Sequence, residues 1–372
     1  MANILQVCNT DFYLTKYLSP LILALVHEGH HVECICDGNN VPNFGDGVIV
    51  HEITFPKDPS PLQFLHSISK MRKIIRKNNY TCVNSHTRNA SIVARVAAWQ
   101  EKVPVNLYTV HGAYFHGDQS KLERFASTML EHLLAKITDF TLSQSNEDTL
   151  RLIKRAGIKP ELIKTIGNGI DTSRFKPNDQ RDNFFRVGTM GRLVKGKGFM
   201  DLINAFAQLH EKHADSQLLL IGGNIKNDIV AFQQHILARI KELKLEDAVV
   251  VTGLVENVED YLATCDVFVL PSYREGMPRA LLEAMSMGIP AIATNIRGCR
   301  EIVVEGENGY LYTPHDVKTL TELLNQVYEQ EAKERKYFAE NARSHIVNYF
   351  DEKDYINKQL YYINNLLSMK PI

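Results

Sequence analysis

Several features are missing from this sequence of 372 residues, and each absence excludes a class of protein. No run of 18 apolar residues occurs, so we expect no helix that spans a bilayer. The six cysteines form no Cys-x-x-Cys pair, which argues against a zinc site or a disulfide framework and favours buried thiols. The net charge of −1 at pH 7 lacks the basic excess of nucleic-acid-binding domains, so we expect no nucleic acid partner.

The first residues lack both a targeting signal and a dinucleotide-binding turn. Met1 is followed almost at once by an apolar stretch at residues 4–8, without the basic start and cleavage site of a signal peptide. We therefore expect a cytoplasmic protein. The turn after that stretch, residues 9–12, contains no glycine. Oxidoreductases bind a dinucleotide pyrophosphate with a Gly-x-Gly-x-x-Gly turn at this place, and its absence argues against that class.

The length and the periodicity predict two α/β domains. A chain of 372 residues exceeds what one core usually holds. Apolar strands alternate with helical patterns throughout, which is typical of parallel sheets covered by helices on both faces. The predicted strands are residues 4–8, 32–36, 48–53, 82–86, 105–110, 140–143, 162–165, 185–190, 217–221, 249–252, 267–270 and 291–293. The polar segment 177–183 lacks periodicity and is predicted to link the two domains.

The most informative stretch is residues 271–290, where a turn rich in Gly and Pro joins a strand to a short helix. Glu275 lies in the turn, and Glu283 follows eight positions later on the predicted helix. The backbone NH groups of Gly276 and Met277 precede Pro278, which favours the first turn of a helix. An anion at this helix N-terminus would meet unpaired donors and the positive end of the helix dipole. The pattern predicts a diphosphate pocket with a carboxylate on each side, the alternative being a solvated loop.

A second turn carries positive charge at a strand end. Residues 191–198 read Gly-Arg-Leu-Val-Lys-Gly-Lys-Gly, between the strand that ends at Met190 and a helical pattern that starts at Phe199. Phosphates bind at strand-to-helix turns of open α/β sheets. Arg192 and Lys197 are the candidate phosphate ligands, and Lys195 is a spare in the same turn. A solvated basic turn is the alternative.

Three motifs in this order resemble those of a known family. They are a Glu-x7-Glu pair (Glu275, Glu283), a Gly-Arg-Leu-x3-Lys-Gly turn (Gly191, Arg192, Leu193, Lys197, Gly198) and a Thr-x-His-Gly turn (Thr109, His111, Gly112). Together they resemble the retaining glycosyltransferases of family four, which build bacterial surface polysaccharides. The resemblance covers nearly the whole chain and implies the GT-B fold, an α/β architecture of two doubly wound Rossmann-like domains facing each other across a cleft.

The resemblance also implies domain limits. An N-terminal, acceptor-side domain would comprise residues 1–173, and a nucleotide-sugar-binding domain would comprise residues 174–351. The turn at Gly167, Asn168 and Gly169 looks like the one that ends the first domain in the family. The C-terminal residues 352–372 would form a helix that packs back on the first domain. Its predicted apolar face consists of Tyr355, Ile356, Leu360, Ile363 and Leu367.

Roles for single residues follow from the resemblance. Arg192 and Lys197 would neutralise the departing diphosphate, and Glu283 would accept hydrogen bonds from the ribose hydroxyls. Glu275 and His111 would contact the donor sugar, Glu275 by orientation and electrostatics. The strand ends around Gly222 and Val255 could bring backbone close to the nucleobase. His86 and Arg88, which also end a strand, could touch the acceptor.

The expected reaction is transfer of a hexose or N-acetylhexosamine from a nucleotide sugar, with UDP preferred. The expected acceptor is a glycan, lipid-linked on polyprenyl diphosphate or soluble. Metal-dependent glycosyltransferases commonly use an Asp-x-Asp motif, which does not occur here, so we expect neither a metal nor another cofactor. The alternatives are a nucleotide-sugar epimerase or phosphorylase, and a non-catalytic nucleotide-sugar-binding subunit.

Charge is distributed unevenly along the chain. Residues 1–172 carry 18 Lys and Arg against 16 Asp and Glu, a net charge of +2, and the remainder carries 24 against 27, a net charge of −3. The segment 70–77 contains five basic residues and no acidic one. A basic acceptor-side domain suits contact with the anionic inner face of the cytoplasmic membrane, where each near-surface charge contributes about 1 kcal/mol. A solvated helix face is the alternative.

Overall fold

A computed structural model describes residues 1–38, 40–41, 44, 47–56, 60–113, 120–178, 180, 182–223 and 230–370. The chain divides into two compact units. Unit 1 comprises Met1–Gly167 and Asp354–Ile372, and unit 2 comprises Asn168–Lys353. The first passage from unit 1 to unit 2 thus lies at the glycine corner around Asn168.

Unit 1 is built on a seven-stranded parallel sheet in the order β3-β2-β1-β4-β5-β6-β7. Its strands are β1 (Asn3–Thr10), β2 (His31–Asp37), β3 (Ile49–Glu52), β4 (Cys82–Ser85), β5 (Val105–Val110), β6 (Phe140–Ser143) and β7 (Ile163–Thr165). The helices before Gly167 are α1 (Asp11–Tyr13), α2 (Ser19–His27), α3 (Pro61–Asn78), α4 (Arg88–Gln100), α5 (Lys121–Ala135) and α6 (Asn146–Arg151), with π turns at Leu14–Leu18 and Leu152–Ala156 and a 3-10 turn at Pro160–Leu162.

Unit 2 is built on a six-stranded parallel sheet in the order β10-β9-β8-β11-β12-β13. Its strands are β8 (Phe185–Met190), β9 (Ser216–Ile221), β10 (Val249–Gly253), β11 (Val267–Leu270), β12 (Ala291–Thr294) and β13 (Gly309–Tyr312). Its helices are α7 (Phe199–Lys212), α8 (Val230–Glu242), α9 (Val258–Leu262), α10 (Arg279–Ser286), α11 (Cys299–Ile302), α12 (Val317–Glu329) and α13 (Ala332–Tyr349), with a 3-10 turn at Lys195–Lys197.

Both sheets are doubly wound because their strand order reverses beside the first strand. The reversal lies between β1 and β4 in unit 1 and between β8 and β11 in unit 2. Helices cover both faces, which explains why β4, β5, β6 and β11 are buried at every residue. At a reversal the loops diverge at the carboxyl ends of the strands, where open sheets bind their ligands. This topology is the predicted GT-B architecture.

The last helix, α14 (Glu352–Met369), is counted with unit 1 from Asp354 onward. Tyr355, Leu360 and Ile363 are buried in a core cluster shared with β1, β2 and α2. The Gln144 side-chain amide donates to Tyr355 Oη over 3.0 Å. The apolar face that the sequence predicts is therefore the face that packs within unit 1.

Some elements differ from the sequence-based expectations. The four-residue strand β13 was not predicted, because it begins with a glycine, a residue that is depleted in strands. The segment 177–183 was predicted as a linker, which is wrong for its described residues: they belong to unit 2, where the Gln180 amide donates to the Ala263 carbonyl over 3.2 Å. Asp179 and Arg181 lie outside the described residues.

All six cysteines are buried free thiols, which confirms the prediction that they belong to the core. Desolvation by burial raises the pKa of the Cys82 and Cys265 thiols to about 12. Such thiols are protonated at neutral pH and behave as small apolar side chains. In the described part of the chain, no helix combines the length and the apolar character that crossing a membrane demands.

Candidate active site

Two loops at the strand reversal of unit 2 carry most of the candidate residues. The loop after β8 contains Arg192 and Lys197, and the loop after β11 contains Glu275. Because β8 and β11 are hydrogen-bonded neighbours, their following loops begin side by side. The sheet order thus brings together two motifs that lie about 80 residues apart in the sequence.

Lys197 and Glu275 form a direct ion pair. Lys197 Nζ donates to Glu275 Oε1 over 2.6 Å. The Lys197 side chain is 25 % exposed and the Glu275 side chain is 14 % exposed, so the pair is accessible but partly shielded from water. An ammonium and a carboxylate at this distance supply, in one place, a cation for phosphate oxygens and an anion for a positively charged sugar carbon.

Backbone contacts fix the two loops to each other. The Tyr273 amide donates to the Gly196 carbonyl over 2.9 Å. Gly198 has a φ of +69°, and a Cβ added there would lie 2.0 Å from the Pro271 carbonyl oxygen. Only glycine can occupy this position, because every other residue would be strained and would clash with backbone. Gly198, the last residue of the Lys-Gly motif, therefore allows the loop that carries Lys197 to lie against the loop that carries Glu275.

A side-chain contact joins the loop after β11 to α7, the helix that follows the loop after β8. Tyr273 Oη donates to Asp201 Oδ2, in the first turn of α7, over 2.9 Å. Partial burial and this carboxylate raise the pKa of Tyr273 well above its usual value, so the phenol stays protonated. His315 packs against the Tyr273 ring with centroids 4.0 Å apart. The sequence did not single out these three residues.

A third loop, after β12, contacts the backbone of the loop that carries Glu275. Arg297 is buried, and its Nε donates to the Glu275 carbonyl oxygen over 3.2 Å. Gly298 has a φ of +81°, and an added Cβ would lie 1.9 Å from the Gly276 carbonyl oxygen. Sequence reasoning missed Arg297 and Gly298, because they stand 22 residues after the Glu275 turn and match none of the three motifs.

The helix that follows Glu275 begins at Arg279, directly after Pro278. Pro278 has φ −73° and ψ 107° and is the N-cap of α10, not a residue of its first turn. Met277 buries its side chain in the core, and its carbonyl oxygen accepts from Asn168 Nδ2 over 3.3 Å. Gly276 and Met277 thus form a bend that leads into the helix N-terminus.

Glu283, the second carboxylate of the motif, lies within α10, is buried, and is less exposed to solvent than Glu275. Its negative charge helps to raise the pKa of Arg174, together with the larger effect of the hydrogen bond from Arg174 to Glu259. Arg174 NH2 lies 2.8 Å from Glu259 Oε2. Arg174 is a further charged group near Glu283 that the motif search did not identify.

The remaining candidates of unit 2 also lie at strand ends. Arg192 is exposed on the loop after β8, as is Lys195. Gly222 follows β9 with a φ of +128°, and its amide donates to Thr252 Oγ1 over 3.2 Å. Val255 follows β10 and packs, half-buried, against the core beneath α10. The carboxyl ends of β8, β9, β10 and β11 thus hold every predicted donor ligand of unit 2 outside α10.

His111 is the candidate residue of unit 1 and follows β5. Its Nε2 lies 2.9 Å from His86 Nδ1, and His86 Nε2 lies 2.9 Å from Gln6 Oε1. The edge of the Tyr13 ring meets His111 with centroids 5.3 Å apart. Thr109 Oγ1 donates to Asn84 Oδ1 over 2.9 Å, which fixes β5 to β4 just before His111.

His86 does not occupy the position expected of an acceptor ligand. Its side chain is fully buried, so the proposed contact with an acceptor is wrong for this structure. Burial, reinforced by the neighbouring His111, holds the pKa of His86 well below its usual value. Arg88 begins α4, and its NH2 lies 3.5 Å from Ser127 Oγ.

The turn without glycine after β1 has a structural role. Asn9 Oδ1 accepts from the Ala90 amide over 2.7 Å, and the Asn9 amide donates to Thr87 Oγ1 over 3.0 Å. Asn9 therefore binds the first turn of α4 and fixes the end of β1 to that helix. Among the residues that the structure describes, no three His, Cys, Asp or Glu side chains are grouped so that they could hold a metal ion.

Comparisons with known proteins agree with this geometry. The family model of glycosyltransferase family 4 matches residues 15–174, and the model of glycosyl transferases group 1 matches residues 171–345. A UDP-Gal:alpha-D-GlcNAc-diphosphoundecaprenol alpha-1,3-galactosyltransferase of Escherichia coli is 30 % identical over 312 residues, which cover 80 % of this chain and 79 % of that protein. The capsular polysaccharide biosynthesis glycosyltransferase CapM of Staphylococcus aureus is 27 % identical, with 85 % of each chain covered.

The fold is shared with solved structures. HepE of Anabaena, crystallised with UDP and glucose, superimposes with a TM-score of 0.82 at 22 % identity and covers 99 % of this chain and 100 % of its own. None of the relatives named here is an epimerase or a phosphorylase, and nothing favours the non-catalytic alternative. The chain belongs to glycosyltransferase family four and is, as predicted from its motifs, a retaining hexosyltransferase of the GT-B fold.

Proposed function

We propose that this enzyme transfers a hexose or N-acetylhexosamine from a UDP-sugar to a glycan on polyprenyl diphosphate. The Lys197–Glu275 pair at the strand reversal of unit 2 is the observation that carries the proposal. The Escherichia coli relative is named for a UDP-linked donor and a diphosphoundecaprenol acceptor, and a Campylobacter jejuni relative, 25 % identical, is named for a diphospho-undecaprenol acceptor as well.

Lys197 and Arg192 balance the charge of the leaving group in this proposal. As the bond between the anomeric carbon and the phosphate oxygen breaks, the electron pair stays on the diphosphate. An ammonium and a guanidinium aimed at those oxygens stabilise the transition state more than the ground state, because the negative charge grows during the step. These two cations take the place that a metal ion holds in Asp-x-Asp enzymes, so transfer proceeds without a divalent cation.

Glu275 and Glu283 act on the other side of that bond. The Glu275 carboxylate orients the donor sugar and stabilises positive charge at its anomeric carbon. Buried Glu283, with the Arg174 guanidinium nearby, accepts hydrogen bonds from the ribose hydroxyls. The acceptor oxygen bonds to the anomeric carbon on the face that the diphosphate leaves, and its proton passes to the departing phosphate oxygen. The configuration of the sugar is therefore kept.

The surface of α5 suits the lipid part of the proposed acceptor. Leu122, Phe125, Met129 and Leu133 recur at helical spacing and are all exposed, Leu122 to 77 % and Phe125 to 63 %. Such a stripe is unusual on a surface helix, whose exposed face is normally polar. Exposed Lys121 and Lys136 flank the stripe. We propose that the stripe lies in an anionic lipid surface, with these lysines among the headgroups.

The basic segment of α3 is weaker support for membrane contact than its sequence suggests. Arg72 Nε and Arg76 NH2 lie 2.6 and 2.9 Å from Glu101 Oε1, so one carboxylate already balances part of the charge. Lys70, Lys73 and Lys77 are exposed and remain available to anionic lipids. The proposed membrane surface is therefore primarily α5.

A panel of sugar nucleotides tests the donor assignment. A ligand at 100 times its Kd stabilises a folded protein by about 2.7 kcal/mol, which a thermal melt detects. We expect stabilisation by UDP and by one or a few UDP-sugars, then transfer from these donors to a polyprenyl-diphosphate-linked glycan. The same incubation without acceptor separates a transferase from an epimerase, which would convert the donor. Lack of stabilisation by every uridine nucleotide would contradict the proposal.

Vesicle sedimentation tests the lipid surface. We expect binding to vesicles that contain anionic phospholipid, and a loss of at least tenfold in the Leu122→Ser and Phe125→Ser double variant. A Lys73→Glu and Lys77→Glu double variant on α3 is the matched control and should lose less. Stabilisation by UDP in both variants shows that unit 2 is intact. Unchanged binding of the Leu122→Ser and Phe125→Ser variant would refute the α5 surface, and a loss confined to the α3 variant would assign the contact to the charges of α3.

A further inference from the structure

A row of buried polar side chains crosses the sheet of unit 1 and ends at His111. Gln6 on β1 pairs in register with Asn84 on β4, and both side chains are fully buried. His86 follows Asn84 by two residues and is buried on the same face of the sheet. Buried polar groups lower stability unless they are hydrogen-bonded, so a row of this kind in a core indicates a specific role.

The hydrogen bonds in this row have a defined direction. Gln6 presents its carbonyl oxygen Oε1 to His86 Nε2, and a carbonyl oxygen only accepts. Nε2 of His86 therefore carries a proton. His86 is wholly buried and neutral, so it has only this one ring proton, and its Nδ1 must be an acceptor. The partner of Nδ1 is His111 Nε2 at 2.9 Å, which must donate.

We propose that His86 is a positioning residue that keeps a proton on His111 Nε2 and so fixes the orientation of the His111 ring. The relay runs from His111 Nε2–H to His86 Nδ1, and from His86 Nε2–H to Gln6 Oε1. The contact of His111 with a donor sugar rests on the proposed function, while the proton on Nε2 does not.

Strands β4 and β5 hold the two rings in position. The Thr109 hydroxyl of the Thr-x-His-Gly turn donates to Asn84 on β4, two residues before His86. The His86 amide donates to the Val7 carbonyl over 2.7 Å, which fixes its backbone to β1. The rings of His86 and His111 lie with centroids 5.2 Å apart and are tilted by 41°. Thr109 of the motif thus has a structural role, because its hydroxyl aligns β5, the strand that leads to His111, with β4.

Ring-nitrogen NMR of the full chain, labelled with ¹⁵N-histidine, tests the tautomer directly. Signals of His111 are assigned by their loss in His111→Asn. We expect a protonated Nε2, with and without UDP. In Gln6→Leu, which removes the fixed acceptor, His86 can change its tautomer, and we expect the protonation of His111 Nε2 to become partial. An unprotonated Nε2 in the unaltered protein, or unchanged protonation of Nε2 in Gln6→Leu, would overturn the proposal.

Kinetic measurements on two His86 variants distinguish a role of His86 in positioning His111 from a role that only fills space in the core. Asparagine can place Oδ1 where His86 Nδ1 lies and accept from His111, whereas leucine fills the space without an acceptor. We expect His86→Leu to lower kcat at least tenfold with the Kd for UDP unchanged, and His86→Asn to recover most of that loss. Equal loss in both would contradict the relay. If His86→Leu does not fold, Gln6→Leu provides the same comparison.

The two parts of the experiment fail independently. If no UDP-sugar is transferred, the proposed function is wrong, but the NMR spectra still show which nitrogen of His111 is protonated. If transfer occurs and His111 Nε2 carries no proton, the function stands and the relay is refuted.

Discussion

Replacing Lys197 with alanine should reduce turnover far more than it reduces folding stability. The ammonium lies 2.6 Å from Glu275 and is proposed to meet the leaving diphosphate. Removing one preorganised donor from a transition state typically lowers kcat by about 10² to 10³, or about 2.7 to 4 kcal/mol. The pair is partly exposed, and ion pairs of this kind contribute only about 0 to 1 kcal/mol to folding. Activity and stability should therefore separate clearly.

Steady-state kinetics, UDP binding and thermal melts check this separation. We expect kcat of Lys197→Ala to fall at least a hundredfold, with the Kd for UDP raised less than tenfold and the melting temperature lowered by a few degrees at most. Arg192→Ala should behave similarly. Lys195→Ala, on the same turn and exposed, is the matched control and should retain turnover within threefold. A Lys197→Ala enzyme with kcat within threefold of the unaltered protein would refute the proposed role.

Three further outcomes are expected. Gly198→Ala should lower the free energy of unfolding by more than about 2 kcal/mol, because the added Cβ would lie 2.0 Å from the Pro271 carbonyl oxygen and φ is +69°. Gly196→Ala is the control, because an added Cβ there meets nothing within 4 Å. In denaturant titrations it should change the free energy of unfolding by less than about 0.5 kcal/mol. Burial depresses the pKa of His86, so as the pH falls the unfolded state binds a proton on His86 before the folded state does. The stability that depends on neutral His86 is fully present above about pH 6.5 and falls below that pH by up to about 1.4 kcal/mol per pH unit. His86→Asn should reduce this slope in pH-dependent melts. Transfer should persist in excess chelator with the anomeric configuration kept, as read from proton couplings of the product; loss of activity on chelation would contradict the metal-free mechanism.

Much of the fold was predictable because buried parallel strands are recognisable as short apolar runs. The bounds of β5, β6, β8 and β11 agree with the sequence-based limits to the residue. The Ser145 hydroxyl accepts from the Asp148 amide over 3.2 Å, which is the contact by which a serine caps the N-terminus of a helix. Strand β13 escaped prediction because Gly-Tyr-Leu-Tyr begins with a glycine and its burial comes from pairing with β12, which no local pattern shows.

The candidate site was only partly predictable. Lys197 and Glu275 could be singled out because charged residues in glycine-rich turns at strand ends are typical of phosphate sites. Arg297 could not, because its contact with the Glu275 carbonyl depends on the pairing of β11 with β12. His86 was misinterpreted for a related reason. A polar residue at a strand end has the same sequence signature whether it faces a ligand or a buried partner.

The glycines around Lys197 and Glu275 explain why this pair forms at all. An added Cβ would clash with a backbone carbonyl at Gly198 beside Pro271, at Gly298 beside Gly276 and at Gly222 beside Gly191. Each contact joins the loop after one strand to the loop after another. Four loops, those after β8, β9, β11 and β12, are thereby held within backbone van der Waals distance, and the long side chain of Lys197 reaches Glu275 without displacing its own loop or that of Glu275. Rigid loops keep the cation in place before the diphosphate charge develops, and that preorganisation is the source of electrostatic catalysis.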